Sequence, residues 1–346
     1  MLRRLARYFL PSAPLCKMPS LIGTHNGTFH ADEALAIAIL RTLPAFKHHS
    51  ILRTRDSAKL AECDIVVDVG GVYDHQAKRY DHHQPEFKDT FSPKHTILLS
   101  SAGLVYKHYG KDLVRELAKD VAVISETEVD DLYLKVYKSF VEPFDAIENG
   151  VSQYPDSVEP AYSSPYSLQN QVSALNPLPC EKDQDPDICF LNAVDLLQVT
   201  MHRLIQRYLL TWLPSRRVVS ETLIALSSTT TYESADSRIV VFKEGCNWKD
   251  HLAELEPKPG HFLFVVYPED ANGTWRVQGV PLKPGSFELR LGLPEEWRGL
   301  RDEELCKKSG IKESIFVHRN GFIGGNVTLE GAKEMARKAI NISTSK

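Results

Sequence analysis

The chain has 346 residues, 41 basic and 45 acidic for a formal charge of −4, with 42% apolar and 25% charged residues. This is longer than one hydrophobic core usually grows, so length favours two domains of ordinary soluble composition. No uncharged apolar run approaches the roughly 18 to 20 residues that cross a bilayer, which excludes a membrane-spanning protein, and six cysteines without CxxC spacing exclude a disulfide scaffold and favour a reducing compartment.

Residues 1–18, MLRRLARYFLPSAPLCKM, carry Arg3, Arg4, Arg7 and Lys17 and no acid, so the rest of the chain holds 37 basic against 45 acidic residues, a charge of −8. On a helical wheel Arg3 and Arg7, and less closely Arg4, cluster apart from Leu2, Leu5 and Phe9. That pattern predicts a mitochondrial presequence addressed to the matrix, and initiation at Met18 would yield a form without it. The competing expectation is an unstructured tail.

A first strand is predicted at Ser20–Thr24, then the loop HNGTFHAD and an Ala/Leu/Ile-rich helix at Asp32–Thr42, the start of an α/β fold. A strand follows at Ser50–Arg53 and a helix at Ser57–Glu62. DIVVDV, Asp64–Val69, reads as a buried central strand of a parallel sheet that ends at Gly70-Gly71. Lys78–Asp81 leads into His82-His83, and helices are expected at Ser100–Tyr109, Lys111–Ser125 and Asp130–Glu148, the last kinked at Pro143. Residues 150–187 hold six of the 20 prolines and read as a surface connection or lid. Helices are then expected at Ile188–Trp212 and Arg216–Leu226, strands at Arg238–Phe242, Phe262–Tyr267, Trp275–Val280 and Ser314–His318, and a closing helix at Thr328–Ile340. The predicted organisation is a leader at 1–18, a metal-binding domain at 19–190 and a smaller α+β domain at 191–346.

The chemistry gathers in the first 150 residues. His25, His30 and Asp32 share one strand-to-helix loop, Asp68 ends a buried strand, Asp81, His82 and His83 follow another, and Asp145 lies in FDAIENG. Carboxylates at the carboxyl ends of parallel strands face the crevice where open α/β sheets bind ligands. Histidine with aspartate and no cysteine suits Mn²⁺ or Mg²⁺ better than a structural zinc. Singly, Asp68 or Asp145 reads as a hydrogen-bonding structural residue, and the pair His48-His49 as solvent-exposed surface. The order H-x4-H-x-D, VVDVGG, DHH, FDxxxNG is what points to a site.

Those residues resemble the DHH phosphoesterase superfamily and, within it, the Myg exonuclease family. GTHNGTFHADEALA, RTRDSAKLAECDIVVDVGG, KRYDHHQPEF, LSSAGLVY, FVEPFDAIENG, LNPLP, GCNWKDHL, PEEWRGLRDEEL and FVHRNGFIGG are all similar to family signatures. The resemblance implies a two-domain DHH phosphoesterase-like fold and two divalent ions, Mn²⁺ before Mg²⁺, about 3.5 to 4 Å apart as two-metal sites require. It implies Asp68 as the bridging ligand, His25 and His30 on the first ion, Asp32, His82 and Asp145 on the second, Asp81 orienting His82, and His83 facing the scissile phosphate. Many superfamily members carry an aspartate where His30 stands, so the first site here is richer in nitrogen. In the second domain Arg298, Arg301, His318, Arg319, Gly324 and Gly325 are candidate substrate contacts, because Gly-rich turns let backbone N–H groups approach a phosphate and Arg binds it as a fork. Ion pairing with Glu295, Glu296 or Glu303 is the structural alternative for the arginines, and Lys249 and His251 are further candidates.

A charge of −8 without the leader argues against a broad basic DNA-binding face. The resemblance implies a 3′ to 5′ exonuclease acting on single-stranded RNA, in the nucleus or nucleolus as well as the mitochondrion, with a cytosolic pool from Met18. A hydrolase of small phosphoesters or pyrophosphate would use the same metals, and a non-catalytic metal-binding regulator is the alternative of another class. Aromatics such as Trp248, Trp275, Tyr267 or Phe322 lining the substrate route would favour nucleic acid.

Overall fold

The structure, a computed structural model, describes residues 20–155, 157–162, 164–180, 183–227, 234–269 and 273–344. The leader expected at 1–18 lies outside the described residues. The chain divides into two compact units, Met1–Gln206 and Arg207–Lys346.

The first unit is built on a five-stranded sheet of β1 (Leu21–Thr24), β2 (Ser50–Arg53), β3 (Ile65–Val67), β4 (Tyr73–Asp74) and β5 (Arg79–Tyr80), in the order β2-β1-β3-β5-β4. All neighbours are parallel except β4, which closes one edge antiparallel to β5. Helix α1 (Ala31–Thr42) has every residue from Ala31 to Leu40 buried. Its alternation of Ala with Leu and Ile leaves no polar face after the first turn, so it is covered on all sides, by α3 (Ser101–Ala118) among others. The short helix α2 (Ser57–Ala61) is capped by Asp56, which accepts from the Ala58 amide.

Helix α3 runs unbroken through Gly110, where the sequence suggested two helices. A Cβ at Gly110 would lie 2.8 Å from the Tyr106 and Tyr133 rings, so the glycine permits close ring packing and does not end the helix. Helix α4 (Glu126–Val136) starts at a capping box of Ser125 and Glu128, four residues before the expected start at Asp130. A π-helical stretch at Tyr137–Val141 follows and leads directly into α5 (Glu142–Glu148), whose first turn holds Pro143; the backbone is helical at Val141 and Glu142, so the helix does not stop at the proline. Within the connection 150–187 the described residues include the short helix α6 (Leu168–Ser173).

The chain leaves the first unit inside the helical stretch Pro186–Ser227, made of α7 (Pro186–Arg207), a π-turn at Tyr208–Trp212 and α8 (Leu213–Ser227). The division therefore falls after Gln206 and not near residue 190, because α7 belongs to the first unit. Phe190 packs edge-on to Phe29, Asp195 pairs with Arg41, and His202 hydrogen-bonds Thr42. By length and composition alone this stretch could cross a membrane, although it is not an uncharged run. Its apolar residues Phe190, Ala193, Val194, Leu197, Met201 and Ile205 recur at helical spacing and are buried in protein, while Ile188, Leu191 and Val199 on the same helix are exposed.

The second unit holds a mixed sheet of β6 (Ile239–Val241), β7 (Phe264–Pro268), β8 (Trp275–Gly279), β9 (Ser314–Val317) and β10 (Ile323–Asn326), in the order β6-β7-β8-β10-β9. Only β6 and β7 are parallel. Alternate residues feed two cores. Ile239, Phe264, Val266 and Val277 join a cluster with α10 (Asp302–Ser309) and α11 (Leu329–Thr344), while Val240, Phe242 and Val265 join one with α8 and α9 (Trp248–Leu255). Strand β10 was unforeseen. Its Gly324 and Gly325 lie in the sheet interior, paired with Val277 and Arg276.

Candidate metal centre

Strands β1, β3 and β5 are neighbours and parallel, so their carboxyl ends share one edge of the sheet. The residue after β1 is His25, the residue after β3 is Asp68, and β5 runs directly into Asp81-His82-His83. Asp68 takes a left-handed conformation, φ 57°, which an aspartate tolerates better than most residues, and so leaves the strand direction.

Asp68 is buried between two imidazoles. His25 Nε2 lies 3.4 Å from its Oδ2 and 3.0 Å from Glu33 Oε1, while His82 Nε2 lies 3.4 Å from its Oδ1 and 3.8 Å from Asp32 Oδ2. Asp32 is held by Ser101, whose hydroxyl donates at 2.8 Å. Among the described residues three groups of potential ligand atoms result, each within 4.8 Å: His25, His30, Glu33 and Asp68; Asp68, His82 and His83; His30, Asp32 and Glu148. Asp68 belongs to two of them and His30 to two. Burial disfavours charge on His25, yet the adjacent Asp68 and Glu33 carboxylates outweigh it and push its pKa up to about 10. Burial likewise opposes ionisation of Asp68, but His25 and His82 beside it hold its carboxyl below the usual range. Burial raises Asp32 and Glu33, and Asp68 nearby adds to the rise.

Asp32 Oδ1, Glu33 Oε2, Asp68 Oδ1 and His82 Nε2 are buried without a hydrogen bond. Leaving such atoms unpaired costs about 1–3 kcal/mol each, more when charged. Four in one place, all of nitrogen or carboxylate type, fit a site made for divalent cations of the Mn²⁺ or Mg²⁺ kind.

Asp81 differs from its expected role, and Asp145 makes hydrogen bonds of its own. Asp81 does not orient His82: its Oδ1 accepts from His83 Nδ1 at 2.7 Å and its Oδ2 from the Gly71 amide at 2.6 Å, so it fixes His83. The His83 side chain is 58% exposed and leans on the His82 ring, with centroids 4.4 Å apart. Asp145 stands outside all three groups. It is fully buried, its Oδ1 accepts from the Ser100 amide and hydroxyl at 2.9 and 2.7 Å, and its Oδ2 accepts from Tyr137 Oη at 2.9 Å. Burial raises its pKa to about 7 against those bonds.

Glu33 and Glu148 were not foreseen. Glu33 is the third residue of α1, and its carboxylate also accepts from the His30 amide at 2.8 Å, as the acid of a capping box does. Glu148 follows Asp145 by three residues, hence on the same helix face, and lies 3.8 Å from His30 Nδ1. Both signals were present in HADE and FDAIE.

The sequence model of the MYG1 exonuclease family, described as an uncharacterised protein family (UPF0160), matches residues 21–340. The chain belongs to the MYG1 exonuclease family. It is similar to the MYG1 protein of Schizosaccharomyces pombe, 45% identical across 92% of this chain and 97% of that one. It is also similar to the MYG1 exonuclease of Homo sapiens, 46% identical across 93% and 86% of the two chains. Among solved structures, RecJ in complex with Mg²⁺ from Thermus thermophilus aligns over 93% of this chain and 50% of that one, at 14% identity and a TM-score of 0.21.

In the second unit of this MYG1 family member, Arg298 lines a groove of about 480 Å³ with Lys249, Gln278, Phe287, Asn320 and Phe322. Its Nε donates to the Leu293 carbonyl at 3.0 Å, and its Nη1 lies 4.0 Å from the exposed Glu295. Phe287 is fully exposed. Arg301 lies over the Phe316 ring at 5.7 Å, and Arg319 is exposed. His318 Nδ1 accepts from the Asn320 amide, closing the turn that ends at Gly321. Gly324 and Gly325 lie within β10 and not in a turn: a Cβ on Gly324 would come within 3.0 Å of the Phe316 carbonyl and one on Gly325 within 3.0 Å of the Phe316 ring, so glycine suits the close strand packing. His251 is buried against Trp212.

Proposed function

We propose that the protein is a divalent-metal-dependent phosphodiesterase, a 3′ to 5′ exonuclease acting on single-stranded RNA. The observation that carries this reading is Asp68, buried between His25 and His82 with an oxygen that accepts no hydrogen bond. The rat and human relatives, which are named exonucleases, support it.

His25, His30 and Asp68, with Glu33 beside them, would hold one ion, and Asp32, Asp68 and His82, with Glu148, the other. Bound there, two divalent ions supply an acidified water and neutralise the charge that gathers at phosphorus. Asp68 spans both groups and fixes their separation. Ser101 keeps the Asp32 carboxylate turned inward, and Asp81 grips His83 by Nδ1, which presents the other ring nitrogen to a phosphate oxygen. The groove with Lys249, Arg298, Phe287 and Phe322 offers cations for phosphates and rings for bases, the pairing that single strands require. Of the four aromatics named from sequence, only Phe322 lines it.

Single-stranded RNA and DNA, labelled at the 3′ or the 5′ end and digested over time with Mn²⁺, test the reading. Loss of the 3′ label before the 5′ label, with a 5′-labelled ladder shortening stepwise, supports it. Intact strands alongside phosphate release from pyrophosphate or a mononucleotide overturn it in favour of a small-phosphoester hydrolase.

We propose further that residues 1–18 direct a mitochondrial pool and that initiation at Met18 supplies nuclear and cytosolic forms. Deleting residues 1–17 from a fluorescent fusion should remove the mitochondrial signal alone. Its survival unchanged would refute the address.

A further inference from the structure

The loop His25–His30 carries two of the imidazoles of the centre, yet it is six residues long and contains Gly27 at φ 94°. Fixing a loop costs about 1–2 kcal/mol per residue in backbone entropy, so something must hold it. Two side chains from elsewhere do so, and neither belongs to the metal centre.

The first is Arg53, at the carboxyl end of β2. Its side chain is 3% exposed. Nη2 donates to the Gly27 carbonyl at 2.6 Å, and Nη1 donates to the Pro186 carbonyl at 3.1 Å and Asp187 Oδ1 at 3.2 Å. The guanidinium also lies against two rings, 5.6 Å from the centroid of Phe29 and 4.8 Å from that of Phe190. The second is Asn176, in the connection read from sequence as a lid. Its Oδ1 accepts from the Phe29 amide and its Nδ2 donates to the Phe29 carbonyl, both at 2.9 Å, as a neighbouring strand would. The Gly27 carbonyl and both polar backbone groups of Phe29 are thus pinned by side chains.

We propose that Arg53 and Asn176 are positioning residues, which hold the His25–His30 loop in the conformation that presents both imidazoles to the metal. The inference rests on the metal-centre reading above. It gives a role to two motifs, RTRD and LNPLP, that the chemistry left unused, and it makes the connection 150–187 a brace for the site. Lysine at 53 has one compact cation and cannot serve three acceptors while stacking on two rings. Aspartate at 176 keeps its shape but cannot donate to the Phe29 carbonyl.

The test is isothermal titration of Mn²⁺ into metal-free full-length protein, for wild type, Arg53→Lys and Asn176→Asp, alongside the melting temperature of each metal-free form. The expected result is Mn²⁺ affinity lowered roughly 10- to 100-fold, as loss of outer ligand supports does, with activity recovering toward wild type at saturating Mn²⁺. Wild-type affinity in a variant that melts lower overturns the inference, since the residue is then a fold contact alone. If Arg53→Lys does not fold, Asn176→Asp and Asn176→Ala decide on the same criterion. A wild type that binds no Mn²⁺ overturns the metal-centre reading itself, and this inference with it.

Discussion

Asp68 Oδ1 and His82 Nε2 face each other at 3.4 Å, both buried and neither in a hydrogen bond. A buried ion pair in which neither atom makes a hydrogen bond leaves both lone pairs free for a cation beside them. Asp68→Asn removes the negative charge but keeps a side chain that tolerates the left-handed backbone there. Hydrolysis should fall roughly 100-fold or more, beyond what outer ligand supports cost, while circular dichroism and melting stay close to wild type. Near-normal turnover with Mn²⁺ would contradict a bridging role.

His83→Ala separates phosphate contact from metal ligation. His83 is more than half exposed and gripped by Asp81, so the variant should lose turnover roughly 10²- to 10⁴-fold, the range for a positioned proton-transfer or charge-stabilising group. Metal content measured by plasma emission should stay at the wild-type ratio. A parallel loss of metal would make His83 a ligand.

Asp145→Asn asks whether the resemblance or the geometry assigns that residue correctly. The new amide nitrogen must meet Ser100 or Tyr137, whose hydroxyls now donate to a carboxylate oxygen, so one buried donor loses its acceptor. Denaturant unfolding should show a loss of about 1–3 kcal/mol, with metal content unchanged. Unchanged stability together with a lost ion would put Asp145 in the coordination sphere.

These assignments mark where the sequence was legible. Strand ends are local features: an apolar run followed by a polar residue locates His25, Asp68 and the Asp81-His82-His83 turn without knowledge of their neighbours. Glu33 and Glu148 are reached only through helix geometry, as the third residue of α1 and the residue one turn beyond Asp145. Gly110, Gly324 and Gly325 look like punctuation in sequence. Their reasons are nonlocal, in Tyr133 across a helix pair and in Phe316 on the neighbouring strand. The hydrogen bond of Asp81 to His83 in place of His82 depends on which way the chain turns after β5, which no spacing specifies.

His108, which belongs to none of the three ligand groups, provides a pH test. Its ring stacks on His75 at 3.7 Å, its Nε2 meets Tyr73 Oη at 2.8 Å, and burial, with His75 and Lys107 adding to it, lowers its pKa to about 4 against the pull of Asp89. A base held neutral in the fold but free to charge when unfolded contributes stability above its unfolded pKa and loses it as pH falls from about 6.5 to about 4. Allowing for solvent screening at this partly exposed ring, the loss is about 1–2 kcal/mol. His108→Phe should flatten the acid limb of stability against pH by that amount. Superimposable acid limbs for the two proteins would contradict the assignment.

Metal binding should itself stabilise the protein. An ion at about 100 times its dissociation constant adds about 2.7 kcal/mol to the folded state. Mn²⁺ should therefore raise the melting temperature of the metal-free protein by several degrees, and the rise should vanish in Asp68→Asn.

The most direct measurement is anomalous X-ray scattering at the manganese edge from crystals of the full chain grown with Mn²⁺. The account predicts two peaks about 3.5 to 4 Å apart, with Asp68 between them, His25 and His30 on one and Asp32 and His82 on the other. No peak at Asp68, or manganese bound only elsewhere on the chain, would contradict it.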